Sequence, residues 1–193
     1  MNEKPELQQE QDGKNPAANE TLDWLQSIVS ALVVCILIFT FLGRVVGVVG
    51  SSMVPTLEDG QRLIVSKLFY TPKYGDIVVL RKREFKEEPI VKRVIATEGQ
   101  TVDIDFEAGI VYVDGTALDE PYVNAPVHER ESFEEPVTVP EGCVFVMGDN
   151  RNASTDSRYS LIGCVDTRLI LGKAYFRLYP LNRIGGVYSN FPG

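Results

Sequence analysis

Hydrophobic and polar positions divide the chain into three textures. Residues 1–23 are polar, rich in Glu, Gln and Asn and without period, which predicts a disordered tail. Trp24-Leu25-Gln26-Ser27 then leads into an apolar run over residues 28–43, whose only polar members are Ser30 and Thr40. From residue 25 to 43 the run approaches the roughly 20 residues that cross a bilayer core. Trp24 and Arg44 suit its two interfaces, where indole sits at headgroup depth and guanidinium can snorkel. A cleaved secretory signal would want a basic leader and a shorter core, and a core helix an apolar stripe on one face only. This run has an acidic leader and is apolar all round, so it predicts one transmembrane helix over residues 24–44.

Past Arg44 the texture becomes β-like. Val45-Val46-Gly47-Val48-Val49 continues the apolar character. Arg62-Leu63-Ile64-Val65, Asp76-Ile77-Val78-Val79-Leu80 and Pro89-Ile90-Val91-Lys92-Arg93-Val94-Ile95 are rich in β-branched residues and read as strands. Thr101-Val102-Asp103-Ile104-Asp105-Phe106 alternates strictly, turns at Glu107-Ala108-Gly109 and returns as Ile110-Val111-Tyr112-Val113, after which Asp114-Gly115 marks another tight turn. Further strands are expected at residues 143–147 and 169–178, and an exposed stretch at 121–140 that carries four prolines. No long segment beyond the apolar run has a helical period. Residues 45–193 are therefore expected to form one mostly β domain, a size that buries a real core.

Charge and composition exclude several classes of function. The net charge is −8 and no basic stripe is present, so nucleic-acid binding has no electrostatic footprint. The tail carries two lysines against six carboxylates. Cys35, Cys143 and Cys164 form no CxxC pair, and the lone His128 completes neither a zinc set nor a Ser-His-Asp triad. His128 reads as a surface residue, and no metal is expected. Cys143 and Cys164 flank a polar loop and could form a disulfide or stay two buried thiols.

Three places could carry chemistry, each with a plainer reading beside it. Gly50-Ser51-Ser52-Met53-Val54-Pro55-Thr56-Leu57 brackets Ser52 with turn-forming residues, as an exposed nucleophile with a free main-chain N–H requires. It also reads as an ordinary linker. In Ile90-Val91-Lys92-Arg93-Val94-Ile95 the strand alternation places one cation on each face, so one of them must sit among apolar neighbours. A free lysine amine, with a pKa of about 10.4, is neutral in only about one part in a thousand near pH 7.4, a deficit of about 4 kcal/mol. Burial can remove much of that for Lys92, whereas Arg93 stays protonated. An edge strand with snorkelling cations is the alternative. Finally, Gly148-Asp149-Asn150-Arg151-Asn152-Ala153-Ser154-Thr155-Asp156-Ser157-Arg158 is either a solvated turn or a buried network that orients a catalytic group.

In this order, and behind an apolar run, these stretches resemble the bacterial type I signal peptidase family. The resemblance is carried by Ser52-Met53-Val54-Pro55-Thr56-Leu57, Gly75-Asp76-Ile77-Val78-Val79, Val91-Lys92-Arg93-Val94-Ile95, Gly148-Asp149-Asn150 with Ser154, Asp156, Ser157 and Arg158, and by Asp119-Glu120-Pro121-Tyr122. It implies a coiled antiparallel β-sheet catalytic domain and a membrane-bound serine endopeptidase that removes signal peptides from secreted preproteins. Ser52 would be the nucleophile and Lys92 the general base. Ser154 would hold the lysine amine, Asp149 would pair with Arg93 and Asp156 with Arg158. Met53 would line the pocket for the small residue before the cut, and the Ser52 main-chain N–H would bind the oxyanion. No cofactor is implied. The resemblance further implies a single-pass cell-membrane protein with its N-terminus cytoplasmic and its β domain outside, near the secretion translocase. The charges at the two ends of the apolar run point the other way.

Two positions depart from the family pattern. Gly50 stands where some members place a serine that adds to the oxyanion hole, and Ile90 where many have a tyrosine. A self-cleaving Ser-Lys protease of the repressor type, or an inactive membrane-tethered domain that binds signal peptides, are the competing expectations.

Overall fold

The computed structural model describes residues 16–82, 85 and 87–188, with the side chains of residues 16–20 and 37–42 outside the description. It divides into two units, residues 1–40 and 41–193.

The first unit is built on α1 (Pro16–Leu42). The helix begins at Pro16 and not near Trp24, so residues 16–23, expected in the disordered tail, are helical. Proline is favoured in a first helical turn, where its missing N–H has no intrahelical partner to lose, and two alanines follow it. Residues 1–15 of that tail lie outside the described residues. Trp24, Leu25, Ile28, Val29, Leu32, Val33, Val34 and Ile36 are all exposed. Among the described residues no helix is long and apolar enough to cross a membrane. The expected span over residues 24–44 falls partly on residues 37–42, whose side chains lie outside the description.

The second unit is mostly β. Its strands are β1 (Arg44–Gly47), β2 (Arg62–Ser66), β3 (Ile77–Leu80), β4 (Ile90–Thr97), β5 (Thr101–Asp105), β6 (Ile110–Val113), β7 (Thr116–Ala117), β8 (Val137–Thr138), β9 (Cys143–Met147), β10 (Val165–Asp166), β11 (Ile170–Tyr179) and β12 (Gly185–Gly186). The large sheet runs β1-β2-β11-β3-β4-β9-β10, with β12 on β11, and the small one β7-β6-β5-β8. Among the described residues every strand pairing is antiparallel.

Every strand read from the sequence is present to within two residues at each end. β1 and the two-residue strands β7, β8, β10 and β12 were not anticipated. A two-residue strand has no period to read, and β1 continues an apolar run without alternation. The proline-bearing stretch at 121–140 is exposed in the main, yet it buries Tyr122, Val127, Phe133 and Val139. These four fall five or six residues apart, too sparse for a periodic signal. His128 is exposed, as expected, with Nδ1 2.8 Å from the Phe106 carbonyl oxygen.

Three clusters make up the core. The small sheet packs Val102, Ile104, Val111 and Val113 with Phe133, Phe145 and Met147. A second cluster joins Met53 and Leu57 to Leu63, Ile77, Val79 and Val91, and a third joins Val78 and Val94 to Val144, Val146, Ile162 and Ile170. Each fully buried Val, Leu, Ile or Phe contributes about 1.5–3 kcal/mol, so β3, which faces two clusters, and β4, which contributes to all three, are the best-held strands of the sheet. Residues 91–96 of β4 are buried without interruption.

Cys143 and Cys164 are free and partly buried. Val165 pairs with Val144 and Asp166 with Cys143, which leaves Cys164 diagonal to Cys143 across the ladder. Diagonal neighbours lie about 7–8 Å apart, too far for a bridge without backbone movement. Burial, with Cys143 beside it, pushes the Cys164 thiol up to about 11. Thiol titration of the unreduced, denatured protein should therefore count three reactive cysteines; a count of one would show a bridge.

Candidate active site

Ser52 sits in a tight loop between β1 and β2. Gly50 has φ +88, a left-handed conformation that costs glycine nothing, and its N–H donates to Asp59 Oδ1 at 2.7 Å. Val54 N–H donates to the Ser51 carbonyl at 3.1 Å and Leu57 N–H to that of Met53 at 2.8 Å. Met53 and Leu57 are 1% and 0% exposed. They anchor the loop from beneath while Ser52 stays partly open above them. Met53, expected to line a substrate pocket, is buried in the second core cluster.

β4 supplies both cations. Its pairing with β9 runs from Arg93↔Met147 to Thr97↔Val144, so beside Lys92 the strand has no neighbour from β9. The serine loop and residues 148–150 come together here, with Asn150 N–H donating to the Ser52 carbonyl at 3.0 Å. Lys92 is 3% exposed, and its Nζ lies 2.7 Å from Ser52 Oγ. Of the two readings left open by the strand alternation, the snorkelling one fails: both cations are buried.

Arg93 donates from Nε to Asp149 Oδ1 at 2.8 Å and from Nη2 to Oδ2 at 2.6 Å, while Nη1 reaches the Gly75 carbonyl at 2.8 Å. Thr56 Oγ1 donates to the same Asp149 carboxylate, so the ion pair also pins the end of the serine loop. The Tyr122 ring covers the guanidinium at 3.8 Å. Arg151 forms a second bidentate pair, with Glu120 at 2.6 Å on each arm.

The residue 148–158 loop is a buried network and not a solvated turn. Arg158 Nε donates to Asp156 Oδ1 at 2.8 Å and Nη2 to Oδ2 at 2.9 Å, and Ser154 Oγ and Gly148 N–H donate to the same carboxylate at 2.8 and 2.9 Å. Burial pushes the Asp156 carboxyl upward. The Arg158 hydrogen bonds and charge, with Lys92 and the Gly148 N–H, overcome it and hold the group below its usual range. Gly148 is where only hydrogen fits: a Cβ there would lie 2.2 Å from Ser154 Oγ and 2.4 Å from the Ser52 carbonyl oxygen. Ser154, Gly148 and Ser52 therefore form one packed stack.

Every expected polar site residue, Ser52, Lys92, Arg93, Asp149, Ser154, Asp156 and Arg158, belongs to this assembly. Sequence reasoning gave no role to Thr56, Tyr122, Gly148 or Arg151. Gly148 carried a signal, since a glycine between a buried strand and a polar loop marks close backbone approach. A hydroxyl held by a buried amine has the components of acyl transfer through a serine ester.

The chain is similar to proteins already known. The model of the family described as signal peptidase, peptidase S26, matches residues 21–179. Signal peptidase I of Bacillus licheniformis is 39% identical over 176 residues, covering 86% of this chain and 92% of its own. Signal peptidase I T of Bacillus subtilis is 38% identical over 176 residues, covering 86% and 89%. A solved signal peptidase I from Enterococcus faecalis is 30% identical and covers 54% of this chain and 97% of its own, at a TM-score of 0.45. The chain belongs to the signal peptidase family, the serine endopeptidases of peptidase class S26.

Removing one member of a buried ion pair strands the other, at a cost of about 3–5 kcal/mol. Asp149→Ala should lose stability on that scale in urea unfolding, because Arg93 would keep its charge without its carboxylate. Arg168→Ala, which breaks only an exposed pair with Asp166, should leave the unfolding midpoint where it is.

Proposed function

We propose that Ser52 is the nucleophile and Lys92 the general base with which this signal peptidase cleaves secreted preproteins. The observation that carries the proposal is the 2.7 Å contact between Lys92 Nζ and Ser52 Oγ, with the lysine 3% exposed. Burial disfavours the ammonium and so favours the neutral amine that a base must be. The Asp156 carboxylate opposes this, but Arg158 engages both of its oxygens, so Lys92 meets a largely neutralised pair.

Neutral Lys92 takes the Ser52 proton as Oγ adds to the carbonyl carbon of the small residue that ends the signal peptide. The tetrahedral oxyanion is met by the Ser52 N–H. The C–N bond breaks, and Lys92 returns the proton to the departing amine of the mature protein. Lys92 next takes a proton from water, whose oxygen attacks the acyl carbon, and Ser52 regains its hydrogen as the signal peptide leaves. Ser154, bonded to Asp156, orients the lysine amine, and Met53 forms the floor on which the small residue rests.

The reading extends to the membrane. The apolar run over residues 24–44 is the single span, with residues 1–23 cytoplasmic and the β domain outside, near the secretion translocase. The exposed apolar side chains of α1 support it. Tethering confines the site to the plane where the signal peptide's apolar core is embedded and raises the effective concentration of enzyme for substrate.

Ser52→Ala should abolish preprotein cleavage with the fold intact, and near-normal turnover would sink the assignment. Lys92→Arg should be equally inactive, because guanidinium keeps its proton. In the unaltered enzyme, kcat/KM measured across pH 6 to 10 should rise with pH as the amine deprotonates. For topology, protease added to intact spheroplasts should digest the β domain and spare the tail; the opposite pattern would favour the raw charge count.

A further inference from the structure

The proposed chemistry leaves one demand unmet. With Gly50 in place of a hydroxyl donor, the oxyanion depends on the Ser52 N–H, and a single main-chain donor is only as good as its aim. In a trans peptide the carbonyl of one residue and the N–H of the next share a plane and point in opposite directions. Whatever grips the Ser51 carbonyl therefore aims the Ser52 N–H.

That grip comes from Asn150. Its Nδ2 donates to the Ser51 carbonyl at 3.1 Å, beside the Val54 turn bond, and its own N–H donates to the Ser52 carbonyl at 3.0 Å. One residue thus holds the peptide planes on both sides of the nucleophile. The amide orientation follows from the partners: the Ser51 carbonyl can only accept, so Nδ2 must face it, and Oδ1 then accepts from Asn124 Nδ2 at 3.1 Å. Asn150 is itself immobilised, because its neighbours Asp149 and Arg151 are both buried in bidentate ion pairs, with Arg93 and Glu120.

We propose that Asn150 is a positioning residue that fixes the direction of the oxyanion-binding Ser52 N–H, with Asn124 setting the orientation of its carboxamide. It touches neither the substrate nor the Lys92 amine. Its loss should weaken stabilisation of the tetrahedral oxyanion and leave substrate binding and base strength alone.

The test compares full-length enzyme in detergent micelles with Asn150→Ala, Asn150→Asp and Asn124→Ala. The probes are a preprotein, a signal-peptide-derived peptide ending in an aldehyde, and the matching peptide alcohol. With the aldehyde, Ser52 Oγ bonds to the carbonyl carbon, the C=O π pair becomes an oxyanion and the serine proton passes to Lys92. Outright removal of an oxyanion donor costs about 100- to 1,000-fold, so misdirecting one that remains should cost about 10-fold in kcat for both Asn150 variants. KM and the pH midpoint of kcat/KM should stay unchanged, and aldehyde affinity should fall by about the same factor with alcohol affinity retained. Asn124→Ala should show the same pattern, smaller, and serves if Asn150 variants misfold. Unchanged kcat, equal losses for aldehyde and alcohol, or a displaced pH midpoint would each overturn the proposal. Because it rests on Ser52 as nucleophile, Ser52→Ala is run alongside: if that variant still binds the aldehyde more tightly than the alcohol, the nucleophile assignment fails and not the role of Asn150.

Discussion

β4 is buried on both faces and carries two consecutive cations, and the surroundings of the site answer that constraint. A strand alternates its side chains, so Lys92 and Arg93 enter opposite sides of the sheet and cannot share a counter-charge. Arg93 cannot give up its proton and must be paired, hydrogen-bonded and covered, a demand met by Asp149, the Gly75 carbonyl and the Tyr122 ring. Once these are in place, Asp149 has an oxygen for Thr56 and the end of the serine loop is fixed. On the lysine side, Ser52 Oγ accepts from the Lys92 amine.

Close packing converts this electrostatic frame into a defined geometry. Gly148 lets the backbone after β9 lie against both the Ser52 carbonyl and Ser154, and the early end of the β4–β9 ladder opens the place where they meet. Asp156 gathers Ser154, Gly148 and Arg158 on one carboxylate, so the residues behind the lysine move as a unit or not at all. Rigidity of this kind suits a reaction whose proton donor and acceptor must remain within hydrogen-bond reach through two acyl-transfer steps.

What could be read from the sequence follows from the range of each interaction. Strands with several β-branched or alternating residues were visible because period-two burial is local, and the Thr101 to Val113 hairpin appeared with its turn. β1 was hidden by its continuity with the apolar run, and two-residue strands exist only through their partners. Burial of both Lys92 and Arg93 was not legible either, since alternation says that the faces differ and not that each is covered. Tyr122 reaches Arg93 from a proline-bearing stretch that looked merely exposed, a contact set by tertiary docking. The Ser52, Lys92 and Asp149–Arg158 stretches were legible mainly through their order along the chain, because each alone has an ordinary explanation.

The order Lys-Arg within β4 is itself constrained. Exchanging the two would place a guanidinium beside Ser52, where it could donate to the hydroxyl but never accept its proton. The amine would face Asp149 and the Tyr122 ring with three donors on a point charge, unable to reproduce the bidentate fork. The present order gives the permanent charge to the side that has a carboxylate committed to it and the removable charge to the side of Ser52, the proposed nucleophile. Asp156 completes the division. It lies close enough to influence Lys92, but Arg158 engages both of its oxygens, so its charge is answered before it reaches the lysine.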